Sequence, residues 1–270
     1  LNAGVAEQNM IGVAAGLARS GFRPIVYGLS AFIPMRVIEQ IKLDIARDKL
    51  PVILIGDGAG IVYSYLGCSH QSTEDIACTR ALPYLNIYSP ADAFELTHCL
   101  LSAFEASAPS YLRIGKSDIG RIHHAPLPRE SLGIIKIRPR DRGNIAFIAT
   151  GSMVRTALEL ASTEFIGSSV WSVPRLKPID EDCVLSLCKE HQLIVTLEEH
   201  STLGGLGSAI AEISAEHHPV RVLKMGAEDK FLFECGTYEY LLKEHALAFN
   251  SIKRRLLDYL NTHQIKVQHA

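Results

Sequence analysis

Apolar positions along this chain alternate between two textures. Short aliphatic runs, "RPIVYGLS", "PVILIG", "LNIYS" and "PSYLRIG", each give way to longer stretches in which apolar residues return every three or four positions. An unbroken aliphatic run suits a strand covered on both faces, as in a parallel sheet. Return at a period of 3.6 suits a helix with one buried face. In "AFIPMRVIEQIKLDIARDK", Val37, Ile41 and Ile45 share such a face, while Glu39, Lys42 and Asp48 lie off it. An opening helix is expected over about 5–19, stopped by Gly21. In "SPADAFELTHCLLSAFEA", Ser89 is placed to cap, Pro90 fits the first helical position and Asp92 the first turn. "STEDIACTRAL" reads as a short helix capped by Ser72 or Thr73, after a Gly-, Ser- and Tyr-rich loop at about 57–72.

Residues 117–143 interrupt the rhythm with proline and charge, although "GIIKI" within them is a candidate edge strand. The alternation then restarts with "IAFIAT", "VWSV", "LIVTLEE" and "VRVLKM" as strands and "MVRTALELAS", "DEDCVLSLCKE" and "LGSAIAEISAE" as helices. Two more helices are expected at about 237–265. This order predicts an α/β fold of two three-layer α/β/α domains with mostly parallel sheets. The expected division is 1–120, a linker at 121–143, and 144–270. The first domain opens on a helix where a doubly wound sheet normally opens on a strand, so its N-terminal edge is expected to be missing or filled by another element.

Composition narrows the function classes. The chain carries 27 Lys and Arg against 29 Asp and Glu, a formal charge of −2, which gives no electrostatic case for nucleic acid or an anionic membrane. No apolar run is long enough to span a bilayer and no basic-then-hydrophobic leader opens the sequence, so a cytoplasmic protein is expected. The six cysteines, Cys68, Cys78, Cys99, Cys183, Cys188 and Cys235, form no CxxC pair and read as free thiols of a reducing compartment.

Four stretches carry candidate chemistry. Glu7 stands among Val5, Ala6, Met10, Ile11, Val13 and Ala14, with Gly12 and Gly16 leaving a groove for another backbone. Burial would raise its pKa and a helix N-terminus would lower it. In "GDGAG" at 56–60, Gly58 is separated from Asn86 by 27 residues, near the spacing of a magnesium–diphosphate motif. Asn86 starts an apolar strand, however, so the match reads as coincidence and no metal site is assigned to this chain. In "GCSHQSTED", His70 lies between a strand and a helix, where open α/β sheets place ligand contacts, and is a candidate for proton transfer or hydroxyl binding. The glycines of "EEHSTLGGLGSAIAEI" lack a P-loop lysine and read as a tight turn.

In this order the pieces resemble the C-terminal half of the transketolase family, a pyrimidine-binding domain followed by a C-terminal domain, and are similar also to 1-deoxyxylulose-5-phosphate synthase. The likeness runs through "GVAEQNMIGVAAGLARSGFRPIVYGLSAFIPMRVIEQI", "LPVILIGDGAGIVYSYLGCSHQSTEDIA", "LPYLNIYSPADAFEL" and "EEHSTLGGLGSAIAE", nearly the whole chain. It implies a thiamine-diphosphate-dependent enzyme that transfers a two-carbon ketol unit between sugar phosphates. Glu7 matches the glutamate that hydrogen-bonds N1′ of the aminopyrimidine and so promotes loss of the thiazolium C2 proton. Phe32 matches the aromatic that stacks on that ring. His70 matches a histidine that contacts substrate oxygens. Lys116 falls where the family often carries a phosphate-binding arginine, with Arg113 a nearby alternative and Arg36 facing the same pocket.

Tyr65-Leu66 departs from the Glu-Asp that commonly precedes the G-x-T-H motif, which implies another sugar or a more apolar acceptor pocket. The family's diphosphate- and Mg²⁺-binding domain has no counterpart here. The resemblance therefore implies the smaller subunit of a split enzyme or a fragment of a longer one, completed by a diphosphate-binding N-terminal subunit or domain that holds the Mg²⁺, with a homodimer of this chain inside a heterotetramer expected for the split form. The alternative readings are the β subunit of a 2-oxoacid dehydrogenase, which shares the two-domain plan, or a 1-deoxyxylulose-5-phosphate synthase-like enzyme, and a non-catalytic assembly partner.

Overall fold

The computed structural model describes residues 1–116, 118, 120–128, 133–141 and 143–266. Four of the aliphatic runs form β1 (Ile25–Leu29), β2 (Ile53–Asp57), β3 (Asn86–Tyr88) and β4 (Ser110–Ile114), parallel and in the order β1-β2-β4-β3. Ile53, Leu54, Tyr111 and Leu112 are essentially sealed from solvent, as strands with a helical layer on each face require. A second sheet contains β5 (Ile135–Arg138), β6 (Ile145–Ala149), β7 (Ser169–Ser172), β9 (Leu193–Ser201) and β10 (Arg221–Ala227) in the order β10-β9-β6-β7-β5. Its β5 edge is antiparallel and contains most of the "GIIKI" stretch. Both sheets are thus mostly parallel layers of an α/β fold.

One strand has no counterpart in the sequence reading. β8 (Arg175–Lys177) leaves the second half of the chain and pairs antiparallel with β3, closing the edge of the first sheet. Two prolines, Pro174 and Pro178, bracket it and hide the strand signal. Leu176 beneath it is 2% exposed, and the Lys177 ammonium donates to the carbonyls of Arg80 and Leu82. The largest apolar cluster likewise joins the two halves. It includes Ile11 and Ala15 of α1 (Glu7–Arg19), Val37, Ile41, Ile45, Leu54 and Ile76, and continues through Ile148, Leu176, Val184, Leu187 and Ile210.

Helix boundaries depart from the local signals in three places. The segment 35–46 keeps its buried face but winds irregularly, as a 3₁₀ turn (Met35–Val37), α2 (Ile38–Gln40) and a π-helical stretch (Ile41–Ala46). The helix α3 (Asp75–Arg80) takes no side-chain cap from Ser72 or Thr73. For α4 (Ala93–Glu105) the cap is Asp92, which accepts from the Phe94 and Glu95 N–H groups at 3.0 Å. Ser89 is occupied elsewhere: its N–H donates to Pro174 and its carbonyl accepts from Gly151, both in the second half. The remaining helices are α5 (Met153–Thr163), α6 (Glu181–Glu190), α7 (Leu206–His217), α8 (Tyr238–Glu244) and α9 (Phe249–Thr262). Among the described residues no helix is long and apolar enough to cross a membrane.

Candidate functional site

Parallel strands end together, so the loops that leave their C-terminal ends meet on one rim. On the first sheet that rim is built by Phe32 after β1, the 58–72 loop after β2, and Lys116 after β4. The loop after β2 turns sharply at Gly58, with φ +71°, where a Cβ would lie 2.0 Å from the Tyr63 ring. Tyr63 and Tyr27 donate to Asp57 Oδ2 at 3.0 and 2.7 Å. Gly60 and Ser72 exchange backbone hydrogen bonds that pinch the loop at its base. His70 ends the turn Cys68–His70 near its tip.

Four of the residues singled out from sequence come together. Arg36 Nη1 donates to Glu7 Oε1 at 3.0 Å. The same guanidinium lies over the Phe32 ring, 4.1 Å from its centroid. Phe32 meets the His70 ring edge-on, with centroids 5.4 Å apart, and Ser69 Oγ lies 3.0 Å from His70 Nδ1.

Glu7 itself is not the acid stranded in apolar surroundings that the sequence suggested. Its side chain is 16% exposed, and its neighbours Val5 and Val13 face solvent. Its own backbone N–H and the Arg36 guanidinium hold its pKa below the usual carboxylate value, outweighing desolvation. The reason is position: Glu7 is the first residue of α1, where free N–H groups favour the anion. Gly12 and Gly16 lie exposed on this helix with open space beside them.

Lys116 and Arg113 sit apart from this group. Lys116 Nζ donates to Asp118 at 2.9 Å and lies 5.4 Å from the Tyr238 ring centroid. It lines a cavity of about 370 Å³ with Leu96, Ile114 and Arg121. Arg113, expected as an alternative phosphate ligand, is instead buried. Its Nε faces both Asp75 oxygens at 2.8 and 3.0 Å, and its Nη2 donates to the Ser72 and Glu199 carbonyls at 3.1 and 2.6 Å. Alternation along β4 places Arg113 on the same side as Tyr111, whose hydroxyl donates to Asp75 as well. With those bonds made, its guanidinium is not presented to a ligand. Asp57 and Asn86 do not meet either. Asn86 aligns with Ser110 and Asp57 with Ile114, about 13 Å apart along the sheet.

Among the buried carboxylates that the sequence reading did not single out are the neighbours Glu198 and Glu199. Glu198 accepts from the Leu206 and Gly207 N–H groups at 2.7 and 2.8 Å, so the N-terminus of α7 is filled by the protein's own acid. A Cβ on Gly205 would lie 2.0 Å from that carboxylate, which is why glycine is needed there. Glu199 accepts from Ile61 N–H at 2.7 Å and from the Ser152 and Tyr238 hydroxyls at 2.5 Å. It ties the loop that carries His70 to the starts of α5 and α8. An acid pair just ahead of a glycine-rich helix start was the available signal for the self-cap.

The Glu198 site makes a prediction about pH. Burial pushes its carboxyl from 4.5 up to about 7 and the adjacent His200 from 6.5 down to about 4. Between about pH 4.5 and 6.5 the pair therefore holds one proton in either state, on Glu198 when folded and on His200 when unfolded. Their opposing contributions to stability cancel in that window. Glu198→Gln leaves His200 uncompensated, and the unfolded chain then binds more protons below pH 6.5. The variant's melting temperature, whatever its level, is expected to fall more steeply than wild type from pH 6.5 to 4, with up to about 3 kcal/mol lost. Parallel wild-type and variant profiles would count against the pairing.

Comparison with known proteins matches this architecture at both ends. Residues 1–121 match the family described as transketolase, pyrimidine binding domain, and residues 135–252 the family described as transketolase, C-terminal domain. The chain is 36% identical over 258 residues to the 6-deoxy-6-sulfo-D-fructose transketolase subunit of Clostridium sp. (strain MSTE9), covering 94% of this chain and 79% of that one. It is 36% identical over 246 residues to 1-deoxy-D-xylulose-5-phosphate synthase of Nitrosospira multiformis, covering 90% of this chain but only 39% of that longer protein. Among solved structures, a split-gene transketolase described as an inactive beta4 tetramer superposes with a TM-score of 0.84 at 32% identity, covering 97% of this chain and 83% of that one.

Proposed function

The chain belongs to the transketolase family, and on that premise we propose that it is the pyrimidine-binding half of a thiamine-diphosphate enzyme transferring a two-carbon ketol unit between sugar phosphates. A diphosphate-binding N-terminal partner would complete the site, in a cytoplasmic heterotetramer built on a homodimer of this chain. One observation carries the reading. A single planar cation, the Arg36 guanidinium, touches both Glu7 and Phe32, so the two are spaced to hold one flat group with an N–H in its plane. The aminopyrimidine is such a group. When bound, the coenzyme would supply a carbanion equivalent and an electron sink.

This chain's residues have separate tasks in that scheme. Glu7 holds or shares a proton at N1′, and Phe32 fixes the ring plane. His70, beside Phe32, offers a ring nitrogen to substrate hydroxyl or carbonyl oxygen. Arg36 and Lys116 supply positive charge for the sugar phosphate; Arg113 does not. Tyr65 is 63% and Leu66 43% exposed close in sequence to His70, favouring an acceptor with an apolar rather than hydroxyl-rich contact at that rim. The diphosphate and Mg²⁺ are assigned to the partner, a reading supported by the separation of Asp57 from Asn86 and by the self-filled N-terminus of α7. The exposed stripe of Asn9, Gly12, Val13 and Gly16 on α1 leaves room for another backbone next to Glu7.

The test is titration of thiamine diphosphate with Mg²⁺ into this chain, into a diphosphate-binding partner, and into their mixture, followed by calorimetry. Saturable binding and ketol transfer are expected only from the mixture. Equal binding by this chain alone, or none by the mixture, would overturn the proposal.

A further inference from the structure

Building on the coenzyme reading above, we propose that Arg36 is a placeholder: in the unloaded chain its guanidinium occupies the position that the aminopyrimidine ring takes on binding. The two contacts that define that position, the Phe32 face and the Glu7 carboxylate, are both already filled, and by the same side chain. A guanidinium is flat, carries N–H donors in its plane and stacks on aromatic faces. In those respects it imitates an aminopyrimidine bound through a ring nitrogen. With the guanidinium carbon 4.1 Å from the Phe32 centroid, no second flat group fits between that ring and Glu7, so Arg36 must leave before the coenzyme can stack.

The surroundings allow it to leave. The Arg36 side chain is 44% exposed, so it can swing into water without opening the core. It lies in the 3₁₀ turn Met35–Val37, directly before Val37, which anchors the backbone at 0% exposure. The contacts it gives up are weak, since partly exposed ion pairs and cation–π contacts each contribute little. Until then Arg36 covers the Phe32 face and, together with Glu7's own backbone N–H, holds the Glu7 carboxyl below its usual pKa. Its departure removes the cation that favours the anion, leaving Glu7 better able to take up a proton as the ring arrives. The freed guanidinium is then available to the anionic end of a substrate.

Thiamine diphosphate binding to the assembled complex, measured by calorimetry for wild type and Arg36→Gln, tests this. The variant is expected to bind about three- to tenfold more tightly, because it has no placeholder to displace. Equal or weaker binding would overturn the proposal while leaving the coenzyme reading intact; no binding by the wild-type complex would remove both. A second measurement needs no variant. In the assembled wild-type complex before coenzyme is added, the Arg36 Nε–H proton should carry a ring-current shift from Phe32, and saturating that complex with thiamine diphosphate should return it to the position of a solvated arginine. A signal unmoved by saturation would mean that Arg36 and the ring do not compete, and would reject the placeholder.

Discussion

Glu7→Gln, assembled with a diphosphate-binding partner, is expected to lower kcat by roughly 10²- to 10⁴-fold, the range removed when a positioned proton-transfer group is lost. Glutamine keeps the length and one acceptor oxygen of the side chain, and its amide can donate a hydrogen bond to a ring nitrogen but cannot transfer the proton to it. The fold should not suffer. The ion pair removed is partly exposed on Arg36's side, and such pairs contribute about 0–1 kcal/mol. Buried α1 neighbours such as Ile11 and Ala14 are untouched. The measurement is therefore a split between turnover and melting temperature, with a large loss in the first and a small change in the second. The ionised Glu7 of the free chain is compatible with this outcome. Its place at the start of α1 and Arg36 hold its pKa below the usual value, and closing a crevice over it would strengthen the opposing desolvation. Turnover close to wild type would remove Glu7 from the chemistry.

Much of the layering was legible because burial on both faces leaves a simple mark. "PVILIG" needs no partner to be read as a parallel strand, and Ile53 and Leu54 are nearly inaccessible. The 3.6-residue period marked Val37, Ile41 and Ile45 as one buried face, and they are. It could not reveal the 3₁₀ and π turns between them, because periodicity records which side is covered and not which carbonyl each N–H finds. Capping was misread for a related reason. Ser89 is as good a cap as Asp92 in isolation, but its backbone is engaged by Pro174 and Gly151, more than sixty residues downstream. The candidate site divides in the same way. Glu7, Phe32 and His70 were singled out from their motifs and lie together, whereas the lowered pKa of Glu7 depends on its own N–H at the helix start and on Arg36, and the fate of Arg113 depends on Asp75, 38 residues earlier. No local signal could pair Arg113 with that acid, and Asp75 passed for an ordinary first-turn carboxylate.

Asp75→Ala is the substitution expected to cost the most stability. Asp75 is 0% and Arg113 3% exposed, and they meet at 2.8 Å. Removing the acid leaves a buried guanidinium without its counter-ion and the Tyr111 hydroxyl without its acceptor. Breaking a buried pair from one side typically costs about 3–5 kcal/mol, which in a chain of this size lowers the melting temperature by roughly 6–20 °C. The double replacement Asp75→Leu with Arg113→Met should recover much of that loss, because no charge is then stranded. Thermal melts of the two variants decide the matter: a single-variant cost below about 1 kcal/mol would mean that water reaches the pair. The consequence extends beyond stability. Arg113 also holds the Ser72 carbonyl, at the base of the loop that carries His70, and the Glu199 carbonyl on β9. The double variant keeps the packing but loses both bonds, so His70 loses a tie to the second sheet. Melting near wild type combined with reduced turnover would identify Arg113 as a positioning residue for His70, although it is sealed away from any substrate.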